Sequence, residues 1–374
     1  MAKDFSDILY PKEKHKVDSH LWCIIMAGGI GSRFWPISTT DSPKQFIDTM
    51  GTGESLLQFT FNRFAMLCPR ENIIMVTGEQ YVDRVHEQLS GLQPYQVLSE
   101  PLRRNTAPCV AYAASVIAHL DPQATIIVSP SDHAVFRRER FCADLRQAVA
   151  TVRQHEWIIT LGALPVRPDT SYGYIQFQEN PSLPNAHNLH KVVTFTEKPP
   201  LEMARQFIAS GEFFWNAGIF VWTLPVLQKA YEVYLPSIAE TFFKLDVDAS
   251  REELEEVYSH CEAISIDNGI MEKAENVHVM EASFGWSDVE TWDSLYGVFR
   301  HDNADNAIIN GNVFTYDTRN CLVIMPQGKT AVLEGLDGYI VVANDDTLMV
   351  CRRKNEDKVF KFSSDVELKK LLKK

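Results

Sequence analysis

Leu21-Trp22-Cys23-Ile24-Ile25-Met26-Ala27-Gly28-Gly29-Ile30-Gly31-Ser32-Arg33-Phe34-Trp35-Pro36, followed by Ser42-Pro43-Lys44-Gln45-Phe46, is the stretch on which the fold turns. Leu21 to Ala27 is apolar throughout and ends at glycines, the pattern of a strand buried on both faces. Gly28, Gly29 and Gly31 let the backbone turn sharply and approach a ligand with no Cβ in the way. Their amides, at an expected helix start, form a pocket for anionic oxygens to which Ser32 belongs. Arg33 adds a forked cation suited to phosphate and Lys44 a compact one. Trp35 and Pro36 stiffen the exit. Together these residues read as a phosphate cradle, against the plainer alternative of a glycine turn after a strand.

Two familiar cradles are excluded. A Walker A loop requires Lys-Ser or Lys-Thr after its last glycine, but Gly31 is followed by Ser32-Arg33. The dinucleotide fingerprint needs a third small residue where Phe34 stands.

The whole chain sets looser bounds. Its 374 residues exceed one ordinary core and suggest a large domain with a smaller one. A formal net charge of -13 argues against a nucleic-acid surface and favours metal-bridged handling of anionic substrates. The seven cysteines are scattered and odd in number, without Cys-x-x-Cys, which fits reduced thiols in the cytoplasm rather than disulfides or zinc. No apolar run is long enough for a bilayer, and residues 1–20 read as a polar extension lacking a signal-peptide core.

From Leu21 to about Gly162 strand and helix patterns alternate, which predicts a parallel sheet with helices on its faces. Asn105, ahead of helix-forming residues and Pro108, is a natural N-cap. Ala124 to Ser129 is a second apolar strand, ending in Pro130-Ser131-Asp132-His133. Ligand groups gather at the carboxyl ends of such strands, so Asp132 is a candidate magnesium ligand. His133 is read as orienting or packing rather than as acid or base. Residues 137–155 read as an exposed helix, and 225–274 as mostly helical. Beyond about Asn303 short strands recur between Gly, Asn and Asp turns.

The loop Gly-Gly-x-Gly-Ser-Arg with Pro43-Lys44-Gln45-Phe46 resembles the sugar nucleotidyltransferases, and its Gly-Ser-Arg-Phe-Trp-Pro form resembles the mannose-1-phosphate guanylyltransferase family. Further segments occur in the family's order over roughly residues 21 to 350: Arg104-Asn105-Thr106-Ala107-Pro108, Tyr172-Gly173-Tyr174-Ile175, Glu197-Lys198-Pro199, Asn216 and Gly285-Trp286-Ser287-Asp288. The resemblance implies an α/β fold with a Rossmann-like, mixed and mostly parallel sheet over residues 21–300. It implies a small β-rich, β-helix-like domain over 301–374, packed on the main domain or on a second subunit in a homodimer.

The activity implied is guanylyl transfer from GTP to mannose 1-phosphate, with Mg²⁺ on Asp132 and Asp288. Asp288 also has a plainer reading as the N-cap of a helix starting near Val289. Arg33, Lys44 and Lys198 would carry phosphate charge. Gly28, Gly29, Gly31, Ser32, Asn105 and Thr106 would hold the nucleotide, with Asn105 and Thr106 at the base. Gly173, Glu197, Lys198 and Asn216 would hold the sugar phosphate. Glu290 stands where the family carries Gly, which reduces backbone freedom there. Two alternatives remain open at this point: uridylyl or thymidylyl transfer to another sugar phosphate, or a sensor of GDP-mannose without catalysis.

Overall fold

The computed structural model describes residues 17–29, 34–178, 188–246 and 249–371. Most of the extension over residues 1–20 therefore lies outside the described residues. The central element is a nine-stranded sheet in the order β3 (Val97–Glu100), β2 (Ile73–Gly78), β1 (Leu21–Met26), β4 (Thr125–Pro130), β9 (Phe213–Thr223), β6 (Ile158–Ala163), β10 (Val277–Glu281), β8 (Leu189–Thr196) and β7 (Tyr174–Gln178). The apolar runs make both faces of the sheet core. In β1, Trp22 and Ile24 enter one cluster while Leu21, Cys23 and Ile25 enter the other, as a period of two requires. The first face is covered by helices Thr106–Leu120, Leu224–Tyr234 and Arg251–His260, the second by Leu56–Phe64 and Arg138–Val152. Helix Arg138–Val152 is thus amphipathic, since it buries Phe141, Leu145 and Val149. Expecting it to be exposed gave its charged residues too much weight.

The sheet is mixed, as expected, with seven of its nine strands running in one direction and β6 and β10 pairing in parallel. β3, β2, β1 and β4 pair in parallel, but β9 inserts antiparallel between β4 and β6, and β8 and β7 add further antiparallel pairs. β1 lies between β2 and β4: the chain runs from β1 outward through β2 and β3, then crosses back to β4 on the other side of β1. The carboxyl ends of β1 and β4 form the switch point where an open sheet binds ligands.

The C-terminal strands form two ladders. β12 (Ala307–Ile309), β14 (Leu322–Ile324) and β16 (Tyr339–Ala343) stack in parallel, with β17 (Leu348–Arg352) antiparallel at the end. β13 (Asn312–Tyr316) pairs in parallel with β15 (Thr330–Glu334). So short a stack has one face to spare, and Ile309, Leu322, Ile324 and Ile340 bury it on Phe34, Val289, Trp292 and Leu295. Phe34 meets Trp292 edge-on at 4.6 Å, which joins the exit of the glycine loop to this second core.

Candidate active site

Gly28 and Gly29 leave the end of β1, and the Pro43–Phe46 segment braces them. The Gln45 amide, 1 % exposed, donates to the carbonyls of Ala27 at 3.0 Å and Gly29 at 2.9 Å. A Cβ on Gly28 would stand 3.6 Å from Glu100 Oε2, while one on Gly29 would meet nothing within 4 Å. Gly31, Ser32 and Arg33, the rest of the expected cradle, lie outside the described residues.

Lys44 points the other way. Its ammonium lies 3.0 Å from Asp132 Oδ2 and donates to the carbonyl oxygens of Asp288 and Val289, each at 3.0 Å. All three of its protons are engaged, so it is tied to the acidic turns rather than held out toward a leaving group. Asp132 and Asp288 are brought together by a two-residue pairing that no pattern announces. β5 (Ala134–Val135) runs antiparallel to β11 (Trp286–Ser287), with Val135 opposite Trp286 and Ala134 opposite Ser287. Asp288 is not a helix cap. The next helix begins at Trp292 behind Thr291, whose hydroxyl accepts from Ser294 N. Asp288 Oδ1 instead accepts from the Tyr172 hydroxyl at 2.7 Å and from Glu290 N at 3.1 Å. The turn places its left-handed residue at Val289 (φ +48°) and not at Glu290, so the glycine missing from position 290 is not needed for this backbone.

The two carboxyls are shifted in opposite directions. Burial alone would raise Asp132, but the Lys44 ammonium, with His133 beside it, holds it below the usual carboxylate range. Burial pushes Asp288 up to about 6 against the pull of Lys44 and the Tyr172 hydroxyl. His133 is held neutral, pushed down to about 4 mainly by burial. Its Nδ1 accepts from Trp286 Nε1 at 3.2 Å and its ring meets Trp286 edge-on, which fits an orienting role. Two carboxylates in one cleft suit Mg²⁺, which takes one or two such groups and completes its shell with phosphate oxygens and water. No cluster of three or more His, Cys, Asp or Glu suited to a metal occurs among the described residues.

The cleft, about 210 Å³, continues past Tyr172 to Gly173, Glu197, Lys198, Asn216 and Asp267. These side chains fix one another. Asn216 Oδ1 accepts from Thr160 Oγ1 and from Gly218 N, each at 3.1 Å, and its Nδ2 donates to Asp267 Oδ1 at 2.8 Å. Burial, then the charge of Glu197, pushes Asp267 up to about 7. Glu197 is also raised by burial, although Lys198 lies 3.4 Å from it. A Cβ on Gly173 would fall 2.6 Å from Glu197 Oε2 and 3.3 Å from Asn216 Cβ. Asp267 escaped the sequence reading because it stands inside a mostly helical region with no signature of its own.

Asn105 does cap its helix: its side chain accepts from Thr106 N at 2.9 Å with φ +71°. Thr106 lines the cleft and its hydroxyl accepts from Ile266 N at 2.9 Å, which ties the helix start to the segment carrying Asp267. Glu100, at the end of β3, was assigned no role from sequence. It is buried beside Gly28, accepts from the Tyr258 hydroxyl at 3.3 Å, and is pushed up to about 7 mainly by burial.

A glycine loop at the switch point of a mixed α/β sheet, with two acids at neighbouring strand ends, defines a protein that handles nucleotide phosphates. A family-wide sequence profile described as nucleotidyl transferase matches residues 22–305, and the chain belongs to this family. It is 30 % identical over 346 residues to a mannose-1-phosphate guanylyltransferase of Escherichia coli, covering 90 % of this chain and 74 % of that one. A protein of the same name from Sinorhizobium fredii is 33 % identical over 336 residues, covering 88 % of this chain and 64 % of that one. These relatives are longer than the present chain. A crystal structure described as mannose-1-phosphate geranyltransferase from Thermus thermophilus superposes with a TM-score of 0.84 at 30 % identity, over 93 % of this chain and 99 % of that one.

Proposed function

We propose that the chain is a mannose-1-phosphate guanylyltransferase, which makes GDP-mannose and diphosphate from GTP and mannose 1-phosphate. The observation that carries this reading is the convergence of Asp132, Asp288 and Lys44 with the locked Gly173, Glu197, Asn216 and Asp267 group in one cleft. The names of the two curated relatives support it. In the reaction an oxygen of the sugar phosphate bonds to the α-phosphorus of GTP while the bond from that phosphorus to the bridging oxygen breaks, and diphosphate leaves in line. Such a displacement needs alignment and charge neutralisation more than covalent help. Asp132 and Asp288 would hold Mg²⁺, which when bound neutralises phosphate charge and orients the two substrates. Gly28, Gly29, Gly31, Ser32 and Arg33 would receive the β- and γ-phosphates. Lys198, whose side chain is 60 % exposed, would steer the incoming sugar phosphate. Glu197, Asn216 and Gly173 would seat the hexose, with Asp267 orienting Asn216.

At the base end, Asn105 and Thr106 would contact guanine. Glu100 adds the acceptor that guanine demands, since a carboxylate can take both N1–H and the 2-amino group, whereas adenine offers no N1 donor. We assign residues 21–300 to the catalytic domain and 301–374 to a short β-helix-like tail, with 1–20 as an extension. Mg²⁺ as the metal, a cytoplasmic location and homodimer formation complete the reading. All seven cysteines are free, which supports a reducing compartment, and no described helix is long and apolar enough to cross a membrane. The test is diphosphate release from the purified chain with GTP, mannose 1-phosphate and Mg²⁺, beside UTP, dTTP and ATP and with glucose 1-phosphate as the other acceptor. Release that needs both GTP and mannose 1-phosphate is expected. Equal or faster release with another pair would replace the substrate assignment, and GDP-mannose binding with no release from any pair would point to a sensor.

A further inference from the structure

Lys44 is nearly buried, with 6 % of its side chain exposed, yet it is coordinated as a cation would be, by three oxygens at 3.0 Å from two separate turns. Two of those oxygens are the carbonyls of Asp288 and Val289, which the left-handed conformation of Val289 presents on one side. The third belongs to Asp132. The Phe34 ring, its centroid 5.8 Å from the Lys44 ammonium, closes the site from the side of the glycine loop. Without an ammonium there, Asp132 would face the 288–289 carbonyls and the Asp288 carboxyl with only acceptors between them, which is repulsive in a half-buried setting.

The geometry points to Lys44 as a positioning residue that stands in for the divalent cation before substrate binds: its ammonium holds Asp132 Oδ2 against the 288–289 turn, and must release that oxygen for it to take a metal. Released from Asp132, Lys44 remains anchored by the two carbonyls and has one proton free for a phosphate oxygen. Its role at the phosphates therefore comes after cation binding instead of preceding it. This rests on the reading that Asp132 and Asp288 bind a divalent cation. A purely structural lysine would make the opposite prediction, because removing it would loosen both turns and weaken metal binding.

The test titrates Mn²⁺ into nucleotide-free protein, read by electron paramagnetic resonance of the free ion, for wild type, K44M, D132N and the double variant. We expect K44M to bind Mn²⁺ at least about tenfold tighter than wild type, the equivalent of one charge-assisted hydrogen bond no longer displaced. D132N should weaken binding in both backgrounds. A folded K44M with unchanged or weaker Mn²⁺ affinity overturns the stand-in role while leaving the metal reading intact. Mn²⁺ affinity insensitive to D132N overturns the metal reading and this inference with it. Should K44M fail to fold, the side-chain ¹⁵N resonance of Lys44 in the wild type decides. It should shift on addition of Mg²⁺ with GTP, and a resonance that does not move overturns the proposal.

Discussion

The two halves of the large sheet build their ends of the cleft by different means. On the parallel side, β1 and β4 deliver backbone: a glycine segment whose Ala27 and Gly29 carbonyls are braced by Gln45, and a turn that carries one acid. On the antiparallel side, β7, β8 and β9 deliver side chains that hold each other, with Asn216 clasped by Thr160, Gly218 and Asp267, and Glu197 lying on Gly173. A phosphate is recognised by charge and by donors from any direction, so main-chain amides suffice. A hexose is told from its epimers only by donors and acceptors fixed in place, and that takes a network in which every partner is satisfied. Substitutions at the seam should therefore abolish turnover, those in the antiparallel half should raise one KM, and those in the parallel half should change nucleotide choice.

The largest effect is expected at the seam. D132A should cost several kcal/mol of transition-state stabilisation, on the order of that for losing a metal ligand. It is measured as kcat/KM at saturating Mg²⁺, and near-normal turnover would remove Asp132 from the mechanism. Next is G173A in the antiparallel half. The new Cβ would push Glu197 and crowd Asn216, a displacement of about 1 Å that can lower kcat/KM roughly a hundredfold. The loss should fall on mannose 1-phosphate, with the KM for GTP little changed. A loss shared equally by the two substrates would mean that the two ends of the cleft are not separable.

In the parallel half, E100Q should lower kcat/KM for GTP by about 1–3 kcal/mol, because the new amide sets a donor against the N1–H of guanine. It should also erode the preference for GTP over ITP, which lacks the 2-amino group. An unchanged GTP to ITP ratio would take Glu100 out of base recognition.

The same contrast governs how much could be read from sequence. β1 and β4 were legible because parallel strands buried on both faces are apolar runs, and the residues just past their ends, Gly28 and Asp132, must lie at the ligand edge. Leu57, Phe61 and Phe64, at helical spacing, mark helix Leu56–Phe64 by the same kind of local pattern. The insertion of β9 between β4 and β6 was not legible, since strand order depends on crossovers that leave no local mark. Nor was the β5–β11 pairing, two residues long, which brings Asp288 to Asp132 and decides against the capping reading. The family resemblance pointed to Asp288, Glu197 and Asn216. Asp267 and Glu100 are single acids whose meaning comes only from burial beside partners distant in the chain.

Burial of those two acids leads to the smallest predicted effect, which tests both halves at once. Glu100 and Asp267 each have a carboxyl raised to about 7, both chiefly by burial. Glu100 is faced by Arg103 and the Tyr258 hydroxyl, Asp267 by Glu197, Lys198 and Asn216. A carboxyl whose pKa is higher folded than unfolded binds more protons in the folded state. Its stabilising contribution is therefore complete below the ordinary carboxylate range and disappears as the pH rises through about 7. The ligand-free protein should lose stability between about pH 5 and 7, at no more than about 1.4 kcal/mol per pH unit for each group. Denaturant midpoints across that range measure it. E100Q and D267N should each flatten the slope by about half of their combined share, one from each half of the sheet. If E100Q flattens it and D267N does not, the Asn216 amide and Lys198 already stabilise the ionised form of Asp267, and the antiparallel network is charged before any sugar arrives.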